Sequence, residues 1–129
     1  VGPARTTATY ENKAVRTANA SLSELQTALL SVRTSLRGRL MQAYLETVLS
    51  ESEDAFSSIQ NTFDSIQPPD TKRADRLREG LDKLLSDGSG GMAQLRILAR
   101  RQDTTMLAAE ARKLAATADG LAKFAQEHG

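Results

Sequence analysis

The side chains best suited to chemistry in this sequence are arginines in two stretches, Arg33, Arg37 and Arg39 in one and Arg96, Arg100 and Arg101 in the other. Guanidinium forks match the geometry of carboxylate and phosphate groups. A fold that gathers both stretches at one end would make a site for a small anion or an acidic partner. Cations in the last turn of a helix also stabilise the helix dipole and cap its carbonyls, so the same residues have a structural reading.

Glu46, Glu51, Glu53 and Asp54 form the other charged cluster. Paired carboxylates on a helix suggest metal, but a di-iron bundle needs an inward Glu-x-x-His motif on two of its helices. The only histidine is His128, next to the C-terminal residue. No metal site is expected; Glu53 and Asp54 read as a solvated face and His128 as a tail residue. Cysteine is absent, which removes disulfides, thiolate metal sites, haem attachment through CxxCH and thiol nucleophiles. There is no G-x-S-x-G elbow, no S-x-x-K signature and no phosphate-binding glycine loop, because Gly88–Gly91 has neither a strand before it nor a Lys-Ser/Thr after it. The expectation is a non-enzymatic protein without catalytic residues or cofactors.

These residues need elements to position them, and hydrophobic spacing supplies four helices. The first covers about 6–36, with Ala18, Leu22, Leu25, Leu29, Val32 and Leu36 on one stripe; Ser21, although three residues before Glu24, reads as a surface residue. The second covers about 40–66 on Leu45, Leu49, Ser52, Phe56, Ile59, Phe63 and Ile66. The step from Leu36 to Leu45 breaks the heptad phase, so a turn is expected near Gly38, with Gly38 as a left-handed cap. The rival is one continuous helix. Gln67-Pro68-Pro69-Asp70 is the clearest break, since proline cannot continue a helix and Asp70 can cap the next. The third helix, about 70–101, carries Leu77, Leu81, Leu84, Gly88, Gly91, Leu95 and Leu98 in unbroken phase. Within it, Asp87-Gly88-Ser89-Gly90-Gly91 has the composition of a loop. The phase favours a single long helix, kinked or locally weak, with Gly88 and Gly91 as a packing gap or hinge that a bulky Tyr44 or Phe56 could fill. The fourth helix, about 104–126, starts from an Asp103 or Thr104 cap and alternates Leu107, Ala111, Leu114, Ala118, Leu121 and Ala125.

Four helices of similar length joined by short turns predict an all-α, antiparallel up-down-up-down four-helix bundle occupying 1–129 as a single domain. Its core must be aliphatic, because aromatic residues make up 4% of the chain. Both termini and the Pro68-Pro69 turn would lie at one end, and the six arginines at the other. The charge balance, 17 Lys and Arg against 16 Asp and Glu, gives no global attraction to nucleic acid or anionic lipid. Nucleic acid is not an expected partner, since interleaved aromatics and overall basicity are both missing.

The Arg- and Ala-rich composition, Gln67-Pro68-Pro69-Asp70 and Leu95-Arg96-Ile97-Leu98-Ala99-Arg100-Arg101 resemble the four-helix extracytoplasmic domains that follow an N-terminal anchor in many actinobacterial membrane proteins and lipoproteins. The run at Gly88–Gly91 departs from an ordinary bundle of that kind. The resemblance implies an extracytoplasmic interaction or sensor-type domain held to the cell membrane through a segment upstream of Val1; the expected topology, with the termini at one end, would then turn the arginine end away from the membrane toward an unknown protein or small acidic ligand. The alternatives are a small-molecule-binding bundle with a core pocket near Gly88 and Gly91, and a self-associating soluble helical protein, which would be cytoplasmic.

Overall fold

Four stretches of helical periodicity, interrupted where glycine or proline forces a turn, become four helices in the computed structural model, which describes residues 6–129. They are α1 (Thr7–Leu36), α2 (Gln42–Asp64), α3 (Lys72–Arg100) and α4 (Thr104–His128). The opening Val1-Gly2-Pro3 lies outside the described residues. No helix among the described residues is long and apolar enough to cross a membrane.

Each turn has an identifiable local cause. After α1, Gly38 adopts φ +72°; its N–H donates to the Ser35 carbonyl and that of Arg39 to Thr34, the paired bonds of a Schellman cap. The two-helix reading around Gly38 is therefore the observed one. The third turn repeats the device with a poorer residue: Gln102 has φ +55°, while Gln102 and Asp103 donate to the carbonyls of Ala99 and Leu98. Asp103 then caps α4 by accepting from the Met106 N–H at 3.1 Å. The α3 cap is Thr71 rather than Asp70: Thr71 Oγ1 accepts from the Ala74 N–H at 3.1 Å and lies 3.0 Å from Thr7 Oγ1 on α1. α2 is shorter than expected, because the turn after Gly38 runs on to Met41 and the chain leaves the helix before Pro68.

Contacts between the ends fix the topology as an antiparallel up-down-up-down bundle. Thr7 meets Thr71, so α1 and α3 start at the same end. Gln42 Nε2 donates to the Ala99 carbonyl at 2.6 Å, tying the start of α2 to the last turn of α3. His128 at the end of α4 lies beside Glu11 near the start of α1. The four helices do not form a regular square. α1 and α3 touch across the diagonal, whereas α2 and α4 do not approach each other.

The core is aliphatic with a few aromatics: Tyr10, Leu25, Leu45, Leu49, Phe56, Phe63, Leu81, Leu85, Met92, Leu95 and Leu121 are all essentially inaccessible. α3 is one uninterrupted helix through Gly88–Gly91. Its buried face includes Leu85 in place of the expected Leu84, because α3 packs on all three other helices and a straight helix drifts from a strict heptad. Ser21, expected at the surface, is fully buried in α1 among Ala14, Ala18 and Leu25. Its hydroxyl has no hydrogen-bond partner among the described residues.

Candidate functional site: the arginine end

At the end of the bundle formed by the α1–α2 and α3–α4 turns, the two arginine stretches come to the same pole because α1 and α3 run parallel. Arg33, Arg37 and Arg39 close α1 and the turn after it, and Arg100 and Arg101 close α3. All five are exposed. None of them makes an ion pair or a side-chain hydrogen bond among the described residues. The carboxylates near them are already engaged. Asp103 accepts from the Met106 N–H, and Glu46 lies 3.3 Å from Gln42 Nε2.

Arg96 behaves differently. Its Nε lies 2.5 Å from Glu53 Oε1 on α2, and both side chains are partly buried. Glu53 is therefore part of the α2–α3 interface rather than of a solvated face, whereas Asp54 is exposed as expected. Arg100 lies one turn further along the same face but is the last residue of α3 and stays exposed.

The same pole carries apolar surface that the sequence reading did not assign to it. The exposed large hydrophobic residues are Leu30 and Leu36 near the end of α1, Met41 in the following turn, Tyr44 in the first turn of α2 and Met106 in the first turn of α4. Leu36, expected on the core stripe, is 40% exposed, and Tyr44, considered as a filler for the glycine run, is 59% exposed. Single exposed apolar residues are ordinary on a soluble surface; here the five large ones all lie toward the arginine pole. A phase break at Leu36–Leu45 was the available signal: apolar residues out of register with either helix have no core to enter.

The glycine positions hold no internal void. Phe56 lies over Gly88 and Leu114 over Gly91, each so close that an added Cβ would fall 2.5 Å from Phe56 Cζ or 2.6 Å from Leu114 Cδ1. What exists beside them is a half-open cleft of about 500 Å³ between α3 and α4, with Ser86, Asp87, Gln94, Glu110, Lys113 and Thr117 among the residues around it.

The opposite end has its own polar network. Glu11 Oε2 lies 2.8 Å from Arg73 Nη2 and 2.9 Å from His128 Nδ1. His128 is the last residue of α4, its ring tilted against that of Phe124 at a centroid distance of 4.6 Å, and not a frayed tail. The hydrogen bond from Arg73, supported by His128, holds the Glu11 carboxyl below its usual range. Further into the bundle, burial and the neighbouring Asp64 push the Asp82 carboxyl up. Arg78 Nε, 3.5 Å away, partly opposes that shift. The Tyr10 hydroxyl, fully buried and without a partner among the described residues, is pushed up to about 12 by desolvation. No group of three or more His, Cys, Asp or Glu side chains suited to a metal ion occurs among the described residues.

Comparison with protein-family models, with curated proteins and with solved structures finds no match to this chain.

Proposed function

We propose that this domain is a non-enzymatic interaction module that uses its arginine end to engage an acidic, partly apolar surface of a protein partner. The observation that carries the proposal is the coincidence of five unpaired exposed arginines with Leu36, Met41, Tyr44 and Met106 at one pole. Arginines supply steering and bidentate contacts, and exposed Tyr, Met and Leu supply the desolvating contacts that dominate interface energies. A small anion alone would need the arginines and leave the apolar residues unexplained.

In this reading the domain is extracytoplasmic and tethered to a membrane through a segment upstream of Val1. What supports that orientation is that Thr6 and Gly129 lie at the pole away from the arginines, so that a tether near the termini would present the arginine end outward. The alternative, a small-molecule site near Gly88 and Gly91, would have to use the half-open cleft lined by Gly90, Gly91 and Leu114, because Phe56 and Leu114 pack directly over Gly88 and Gly91.

The test is binding of an acidic, phenylalanine-containing peptide to the whole chain, followed by calorimetry. Replacing Arg37, Arg100 and Arg101 with glutamine, or Met41 and Tyr44 with serine, should each weaken binding at least about tenfold. Replacing Arg16 and Arg112, which lie elsewhere on the bundle, should leave it unchanged. An equal loss on replacing Arg16 and Arg112 would mean that the peptide responds to total charge, and unchanged binding after replacement of Met41 and Tyr44 would mean that the apolar residues take no part; either result would overturn the proposal.

A further inference from the structure

The α3–α4 interface is built on glycines that receive side chains from the facing helix. An added Cβ at Gly91 would meet Leu114 Cδ1 at 2.6 Å, and one at Gly120 would meet Leu84 Cδ2 at 2.7 Å. These pairs fix the antiparallel register, and continuing it toward the start of α3 sets Gly80 opposite Phe124. There the pattern fails: nothing lies within 4 Å of a Cβ added at Gly80. Phe124 is buried against the bundle, its ring turned to His128 at a centroid distance of 4.6 Å, and does not enter the notch.

The result is a groove of about 400 Å³ with Gly80, Leu77 and Phe124 along its apolar part and Arg73, Arg76 and His128 at its edge. Leu77 and Phe124 belong to the core, at 4% and 8% exposure, so the floor is held rigidly by the packing beneath it. Arg73 and His128 share Glu11 Oε2. Arg76, by contrast, is exposed and has no ion-pair partner among the described residues.

We infer that this groove binds an amphipathic carboxylate, with an acyl chain lying in the Gly80 notch against Leu77 and Phe124 and the carboxylate paired with Arg76. Charge complementarity selects the head group: the edge presents two guanidinium groups and an imidazole, and the one carboxylate among them is already shared. Apolar sites with a few convergent polar groups are the usual form of small-ligand pockets. The inference is independent of the arginine end, which lies at the other pole of the bundle.

Octanoate is a suitable probe, titrated into the whole isotopically labelled chain and followed by amide and side-chain chemical shifts. Saturable shifts are expected at Leu77, Gly80, Phe124 and His128. Arg76→Gln should weaken octanoate by about threefold to fivefold, as for loss of an exposed ion pair, and octylamine, with the same tail and the opposite charge, should bind more weakly than octanoate. Gly80→Leu should abolish the shifts by filling the notch, while raising the thermal midpoint, because leucine is the better helix former and the added side chain meets no neighbour at its Cβ. That variant separates loss of the groove from loss of the fold. Absence of saturation in the wild-type chain, unchanged affinity in Gly80→Leu or in Arg76→Gln, or equal binding of octylamine would overturn the inference.

Discussion

The ring of Phe56 occupies the volume that a side chain at residue 88 would need, with its Cζ 2.5 Å from where the Cβ would stand. Phe56 is a large core residue at 1% exposure, so the glycine is required by its neighbour rather than tolerated by the helix. Alanine at 88 would recover about 1 kcal/mol of helix propensity but would displace an aromatic ring in a packed core, at about 1–3 kcal/mol. Gly88→Ala should therefore be neutral to destabilising. Gly90, exposed and with open space around it, should gain most of the propensity term on the same change. Gly91→Ala should fall between them, because it displaces only the tip of Leu114. Urea unfolding of the three variants checks the order; equal gains at all three positions would show that no ring or methyl group occupies the notches.

Gln102 occupies a left-handed position that Gly38 fills in the equivalent turn. The backbone bonds of the two turns are the same, so only the side chain differs. A non-glycine residue in this region costs roughly 1–2 kcal/mol, and Gln102→Gly should raise stability by about 1 kcal/mol. Gly38→Gln should lower it by a similar amount. Both follow from thermal or urea unfolding, without any change expected in helix content.

Helix number, order and the long third helix were legible because each rests on a pattern the chain writes directly: stripes at helical spacing, two prolines together, and a seam that keeps phase through the glycines. Two kinds of feature were not legible. Arg96 and Arg100 look alike in sequence, and only the packing of α2 on α3 brings Glu53 to the first while the second, at the end of α3, stays in solvent. Likewise Ser21 has the composition of a surface position, yet it lies on the buried face of α1 with Ala14, Ala18 and Leu25. The arginine pole was half readable: its charges follow from topology, but its apolar residues could be recognised as exposed only once the turn had taken Leu36, Met41 and Tyr44 out of the core.

The carboxyl groups predict an acid response with two opposing parts. Glu11 titrates below its ordinary value of 4.5 in the folded chain, so its contribution is complete above that value and is lost as pH falls through the folded one. Glu11→Gln should cost about 1 kcal/mol or less at neutral pH, as for an exposed ion pair, and the difference should vanish in acid. Asp82 is raised from 3.8. Its stabilising contribution is present in the protonated form below that value and is lost as pH rises through the raised one. Asp82→Asn should thus be more stable than wild type at neutral pH, with the gap closing on acidification. Unfolding curves across the acid range separate the two, since the variants deviate from wild type in opposite directions.

At the alkaline side the controlling group is Tyr10. Its hydroxyl is buried without a partner among the described residues, and desolvation lifts its pKa from 10.0 to about 12. The folded state therefore favours the neutral phenol: that preference contributes stability below pH 10 and is lost as pH rises through about 12. Phenylalanine at this position keeps the ring, including its 5.6 Å centroid contact with Phe63, and removes the unpaired hydroxyl, whose burial costs roughly 1–3 kcal/mol. Tyr10→Phe should be about 1 kcal/mol more stable than wild type at neutral pH, and its advantage should widen above pH 10, where wild-type unfolding draws on ionisation of the phenol. Lysine and arginine titration affects both proteins alike and cancels in the comparison. A constant difference across the alkaline range would show instead that the hydroxyl is solvated in the folded chain, and a less stable variant would show that it has a hydrogen-bond partner.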